Sequence, residues 1–103
     1  MEYNMFIDDE RYPPMDGSVW VIVRTSQQAI DWITSNGYPS FISFDHDLGG
    51  DDTSMRLVNW IIDDCLNMGM NIPFKWYVHS QNPIGRDNIN GKLTAFQLHM
   101  LAN

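Results

Sequence analysis

The sequence predicts one α/β domain over residues 1–103, in which a sheet of four mostly parallel strands is covered by helices on both faces. Four short apolar runs rich in β-forming residues are present, and segments with helical apolar spacing follow the last three of them. Polar clusters directly follow three of the runs. The carboxyl ends of parallel strands meet at one edge of a sheet, where ligands bind. The expected order is β-β-α-β-α-β-α in three layers.

The four predicted strands are short and rich in aromatic and β-branched residues. They cover residues 3–7, 18–23, 41–44 and 74–78. The stretch between the first two contains Pro13, Pro14 and Gly17 and lacks a helical period, so it is predicted to be a loop. A parallel pair usually needs a longer crossover than this loop provides. An antiparallel edge strand at this point is therefore an alternative.

Each predicted helix has a recognisable start. The start signals are Thr25-Ser26, the polar stretch 51–54, and Asn82 followed by Pro83. The first two helices are predicted to end at Gly37 and Gly69, because glycine is favoured just past a helix end. In the third, Ile89, Leu93 and Phe96 recur at helical spacing.

The composition narrows the classes of partner. Thirteen acidic residues against six basic ones give a formal net charge of −7, so duplex nucleic acid, which needs a basic face, is not expected as a partner. No apolar run approaches the length of about 18 residues that a membrane span needs, so we expect no membrane partner and a cytoplasmic location. Cys65 is the only cysteine, which excludes a disulfide within the chain. The sequence does not indicate an oligomeric state.

Acidic side chains concentrate where the first and third strands end. Asp8-Asp9-Glu10-Arg11 follows the first strand, and Asp45-His46-Asp47 follows the third. These clusters predict a divalent metal site whose ligands are Asp8, Asp9, Asp45 and Asp47. Carboxylate oxygens suit Mg²⁺, or Mn²⁺, better than zinc, although the two nearby histidines keep Zn²⁺ open. A solvated turn is the alternative for the first cluster.

The third cluster begins at His79, where the fourth strand ends, and leads into the last helix. Free N–H groups at a helix start, with Arg86 in its first turn, predict an anion site. The expected ligand-binding residues are Ser80, Asn82, Gly85, Arg86 and Arg11. Gly85 would let a phosphate approach the backbone. His79 or His46 is predicted to act as general acid or base, because histidine ionises near neutral pH, and Arg86 to stabilise charge in the transition state.

Together, three motifs resemble the cyclic-phosphate processing receiver domains, a divergent group of receiver-like (flavodoxin-like) domains. The motifs are Asp-Asp-Glu-Arg-x-Pro at residues 8–13, Asp-His-Asp-Leu-Gly at 45–49 and His-Ser-x-Asn-Pro-x-Gly-Arg at 79–86. They occur in order and span nearly the whole chain. Resemblance to ordinary response-regulator receivers is partial, because the helix after the first strand and the fifth strand with its lysine have no counterpart.

The resemblance implies a receiver-like fold and the processing of a cyclic phosphate on a small, nucleotide-like or RNA-derived ligand. Our leading hypothesis is a metal-dependent phosphoesterase that opens this cyclic phosphate. A binding module that senses or sequesters such a ligand without turnover, as in phage–bacteria defence, is the second hypothesis. The third is a phospho-accepting receiver with Asp45 as acceptor, against which the missing lysine counts.

Overall fold

The computed structural model describes residues 2–102 and contains all the predicted elements, with strand boundaries within two residues of those expected. The strands are β1 (Asn4–Ile7), β2 (Trp20–Val23), β3 (Phe41–Phe44) and β4 (Lys75–Val78). The helices are α1 (Ser26–Asn36), α2 (Ser54–Met68) and α3 (Pro83–Leu101). None of these helices is long and apolar enough to cross a membrane.

The four strands form one sheet in the order β2-β1-β3-β4, and every neighbouring pair is parallel. The antiparallel alternative for β1 and β2 is therefore wrong. The connection between them, residues 8–19, contains no helix. Arg24 holds this connection beside the end of β2, since its Nη1 donates hydrogen bonds to the carbonyl oxygens of Asp8 (3.0 Å) and Arg11 (2.6 Å).

All three helices lie on the same face of the sheet, which differs from the expected cover on both faces. Side chains from each helix share one apolar core with alternate residues of the strands, among them Met5, Ile42 and Val78. The chain moves in one direction across the sheet from β2 to β3 and on to β4, so right-handed crossovers place α1 and α2 on one face. The step from β1 to β2 runs in the opposite direction and has no helix with which to cover the other face.

The helix-free face carries mostly aromatic and polar side chains. Its strand positions are Asn4, Phe6, Trp20, Ile22, Phe41, Ser43, Lys75 and Tyr77. Phe6 and Ser43 are buried on this face even though none of the three helices within residues 2–102 packs on it. The carboxyl ends of β1, β3 and β4 lead directly into Asp8, Asp45 and His79, so the residues that sequence reasoning singled out lie at one edge of the sheet.

Candidate functional site

Side chains from three adjacent strand ends meet at the carboxyl edge of the sheet. Asp8 follows β1, Asp45 follows β3 and His79 follows β4. One possible metal-ligating atom from each of the three lies within 4.8 Å of the others. They converge because their strands are parallel neighbours that end in register, Ile7 beside Phe44 and Phe44 beside Val78. We refer to Asp8, Asp45 and His79 as the strand-end cluster.

Asp8 is at the centre of the cluster and is fully buried. Its Oδ1 accepts hydrogen bonds from the backbone N–H groups of Glu10 and Arg11, both at 2.9 Å. Its Oδ2 lies 2.9 Å from Nε of Arg11 and 2.9 Å from Nε2 of His79. Burial raises the pKa of Asp8, but the backbone donors together with His79 and Arg11 outweigh it, and the pKa lies below its ordinary value. Asp8 is therefore a carboxylate at neutral pH.

His79 is held on three sides. Its Nε2 faces the Asp8 carboxylate, and its Nδ1 lies 2.7 Å from Oγ of Ser43. The imidazole also stacks on the ring of Phe6, with centroids 4.6 Å apart and planes 5° from parallel. Because an ionised carboxylate can only accept, neutral His79 carries its proton on Nε2, and Nδ1 accepts from the Ser43 hydroxyl. Sequence reasoning missed Ser43, whose only signal was a hydroxyl within an otherwise apolar strand.

Arg11 joins the two carboxylates of the cluster. Its Nε contacts Asp8, and its Nη2 lies 3.3 Å from Oδ2 of Asp45. The other oxygen of Asp45 accepts the backbone N–H of His46 at 2.9 Å. The Arg11 side chain is 43% exposed, so it can leave the carboxylates without unpacking the core. The cluster thus combines two buried carboxylates with one cationic side chain that reaches solvent.

A second group of polar side chains links the loop after β3 to the start of α3. Nδ1 of His46 lies 3.1 Å from Oδ1 of Asp47, and Nδ2 of Asn82 donates to Oδ2 of Asp47 at 3.3 Å. The hydrogen bonds with His46 and Asn82 lower the pKa of Asp47. The His46 ring also packs directly on Gly85, where a Cβ atom would lie 2.3 Å from its Cγ. The space at Gly85 that we expected to admit a phosphate is filled by His46.

The remaining predicted site residues lie outside the strand-end cluster. Of the four aspartates expected to bind metal, Asp9 and Asp47 are exposed and do not belong to the metal-capable cluster within residues 2–102. The buried Ser80 accepts the N–H of Asn82 on its Oγ at 3.1 Å, and Oδ1 of Asn82 caps α3 by accepting the N–H of Gly85 at 3.1 Å. Arg86 is exposed in the first turn of α3.

Replacing Gly85 by alanine is expected to destabilise the protein through its contact with His46. The φ angle of Gly85 is not positive, so alanine fits the backbone, and the three atoms nearest to the added methyl group all belong to the imidazole of His46. We expect a loss of about 1–3 kcal/mol in the free energy of unfolding by denaturant, as for other overpacked positions.

Two further variants test this explanation. Gly91→Ala, in the same helix but with nothing within 4 Å of the added Cβ, is expected to stabilise the protein by about 1 kcal/mol or less. In a protein that also carries His46→Ala, Gly85→Ala is expected to lower the free energy of unfolding much less. Equal losses with and without His46 would contradict the proposed contact.

The depressed pKa of Asp8 predicts a loss of stability in acid. A carboxyl group whose pKa is lower in the folded than in the unfolded state stabilises the fold above the unfolded value of about 4, and this contribution is lost as the pH falls through the folded value. The free energy of unfolding of the wild type is therefore expected to fall more steeply below pH 4 than that of Asp8→Asn. Parallel pH profiles of the two proteins would exclude this role for Asp8.

Comparison with known proteins agrees with the three sequence motifs. A family model described as cyclic-phosphate processing receiver domain matches residues 3–95, a range that contains all three motifs and the strand-end cluster. No curated protein and no solved structure matches the chain.

Proposed function

Because the chain belongs to the family of cyclic-phosphate processing receiver domains, we propose that it is a phosphoesterase that opens the cyclic phosphate of a small nucleotide-type ligand. The reaction adds water across one P–O ester bond of the ring and yields a phosphate monoester. One observation supports this proposal most directly. The ligand atoms of Asp8, Asp45 and His79 lie within 4.8 Å of one another, and the cationic Arg11 lies beside them.

The strand-end cluster has a donor set that fits a divalent cation. Asp8 and Asp45 offer carboxylate oxygens, and His79 would offer an imidazole nitrogen once that nitrogen gives up its present partner, Asp8 or Ser43. Two carboxylates suit Mg²⁺ or Mn²⁺, and the imidazole favours Mn²⁺ of the two. When bound there, the cation would polarise a phosphoryl oxygen.

Arg11 is the residue best suited to bind the phosphate itself. Its guanidinium presents several donors in one plane and matches two phosphate oxygens at once. In the structure, its partly exposed side chain pairs with Asp8 and Asp45. When Arg11 turns towards the ligand, a cation would take its place beside these two carboxylates. In the transition state, the guanidinium would stabilise the charge that develops on the phosphoryl oxygens.

We assign proton transfer to His46 and not to His79. Both ring nitrogens of His79 are engaged, by Asp8 and by Ser43, so this residue positions the cluster. Asp47 holds the proton of neutral His46 on Nδ1, which leaves the lone pair on Nε2. In the proposed reaction, Nε2 takes a proton from the attacking water, the hydroxyl joins phosphorus, and the departing ribose oxygen receives the proton from Nε2.

A binding module without turnover is the second candidate. The observation in its favour is that Arg11 already pairs with both carboxylates and offsets one of their two negative charges, so the cluster has a positively charged partner without a metal ion. Such a module would bind the cyclic nucleotide through the same residues and release it unchanged.

One assay separates the two candidates. The protein is incubated with MnCl₂ or MgCl₂ and with 2′,3′-cyclic or 3′,5′-cyclic adenosine monophosphate, and products are followed by ³¹P NMR. The proposal predicts a phosphate monoester that no longer forms when EDTA is present. Thermal stabilisation by the nucleotide without any product would support the binding module. With neither product nor stabilisation, both candidates would be rejected for these nucleotides.

A further inference from the structure

The helix-free face of the sheet contains a cavity that adjoins the strand-end cluster. Its volume is about 430 Å³. Its walls are the residues Asn4, Phe6, Pro14, Asp16, Trp20, Phe41, Ser43, Tyr77 and His79. We refer to it as the sheet-face cavity. His79 belongs to both sites, since Nδ1 contacts Ser43 in the cavity and Nε2 contacts Asp8 in the cluster.

The aromatic walls of this cavity are held in place. The ring of Trp20 stands edge to face with Phe6, at a centroid distance of 6.0 Å and 90°, and with Phe41, at 6.1 Å and 85°. Its indole N–H donates to Oδ1 of Asp16 at 3.2 Å, which fixes the direction of the ring. A ligand that enters therefore meets oriented aromatic surfaces, and little side-chain freedom is lost on binding.

The shape and lining of the cavity favour a small planar ligand over a protein partner. The connection between β1 and β2 supplies one wall through Pro14 and Asp16, so the surface is a concavity and not a flat apolar face. Its volume falls within the range of about 300–1,000 Å³ that is usual for small-molecule sites. A few polar groups among aromatic rings, here Asn4, Asp16 and Ser43, are also typical of such sites.

We propose that the sheet-face cavity binds the nucleobase of the ligand whose phosphate is bound beside Asp45 and Arg11. This inference rests on the proposed function, because it takes the position of the phosphate from it. Every nucleobase has an aromatic face that stacks on aromatic side chains. The carboxylate of Asp16 accepts N–H donors from the base edge and repels a second phosphate, so a neutral base is favoured in the cavity. A ligand that lies across His79 would contact the sheet-face cavity and the strand-end cluster at the same time.

The test compares two probes that differ only in the base. They are adenosine 2′,3′-cyclic monophosphate and 1-O-methylribose 2′,3′-cyclic phosphate, and kcat/KM is measured for each. We expect the nucleotide to be preferred about 10- to 100-fold through stacking of its base. Tyr77→Ala, which truncates one wall of the cavity, is expected to lower kcat/KM for the nucleotide and so to remove most of this preference. Tyr77 is 63% exposed, so its truncation costs little stability. Leu66→Ala, which truncates an exposed side chain on α2, is the control.

A binding measurement with adenosine, which has no phosphate, keeps this inference separate from the proposed function. Base stacking is expected to quench the fluorescence of Trp20, and Trp20→Phe to abolish the change. Quenching without turnover of any cyclic phosphate would support base binding in the cavity and reject the phosphoesterase activity. Equal kcat/KM values for the two probes, with no effect of Tyr77→Ala and no quenching by adenosine, would reject the cavity and retain the phosphoesterase.

Discussion

Asp8→Asn is expected to lower the turnover of a 2′,3′-cyclic nucleotide about a thousandfold, the size of effect typical of losing a group that stabilises charge in an active site. Asparagine keeps the shape of the side chain but removes the charge, and its amide cannot supply two anionic oxygens to Arg11, His79 and a cation. The fold is expected to persist at neutral pH, because Oδ1 of asparagine can still accept the backbone N–H groups of Glu10 and Arg11. Steady-state kinetics with circular dichroism of the same samples measure both properties.

Two other aspartates sharpen this test. Asp63→Asn makes the same change of charge on the exposed surface of α2 and is expected to leave kcat/KM within about twofold of wild type. Asp9→Asn separates the sequence-based site from the structure-based one. The four-aspartate metal site predicted from sequence requires a large loss, whereas the strand-end cluster predicts a small one because Asp9 is exposed and outside it. Similar losses for Asp8→Asn and Asp9→Asn would contradict the cluster as described.

The secondary structure could be predicted because its signals are local. The hydroxyl of Thr25 accepts the N–H of Gln28 at 3.0 Å, as its position before an apolar helical pattern indicates. Gly69 adopts the left-handed conformation at the end of α2 that its position after the last apolar residue indicates. In both cases, the residues that decide the structure lie within one turn of each other in sequence.

The arrangement of the layers could not be predicted in the same way. Whether β1 and β2 are parallel depends on the path that residues 8–19 take between them. Arg24, the residue after β2, fixes this path by donating hydrogen bonds to the carbonyl oxygens of Asp8 and Arg11. That the helices share one face follows from the strand order β2-β1-β3-β4, which no local pattern encodes. Consequently, the sequence did not indicate that an aromatic face of the sheet lacks a helical cover.

The site was partly predictable for a similar reason. That strand-end side chains would meet follows from parallel topology, and Asp8, Asp45 and His79 do meet. Which of two adjacent acidic residues points inward depends on the turn after each strand. Oδ1 of Asp8 accepts the N–H groups of Glu10 and Arg11, which turns the chain and leaves Asp9 exposed. The role of Ser43 depends on a contact with His79, 36 residues along the chain.

Arg11→Gln is expected to change metal affinity and turnover in opposite directions. In the structure, the guanidinium pairs with Oδ2 of both Asp8 and Asp45, the two carboxylates that would bind a divalent cation. Removing a charge that competes for these oxygens is expected to tighten Mn²⁺ binding about tenfold, since like charges close together repel. Turnover is expected to fall about a hundredfold, because the phosphate loses its guanidinium. Mn²⁺ affinity is measured by isothermal titration calorimetry and turnover by the ³¹P NMR assay.

The opposite signs make this variant more informative than a simple loss of activity. A variant that merely loosened the site would weaken Mn²⁺ binding and turnover together. A disturbance of the fold at the start of the connection between β1 and β2 would have the same effect. Lys92→Gln removes one positive charge from the exposed surface of α3 and controls for the change in net charge. If Arg11→Gln and Lys92→Gln bind Mn²⁺ equally, Arg11 does not compete with Mn²⁺ for the cluster. The proposal that a cation replaces the arginine beside Asp8 and Asp45 would then be wrong.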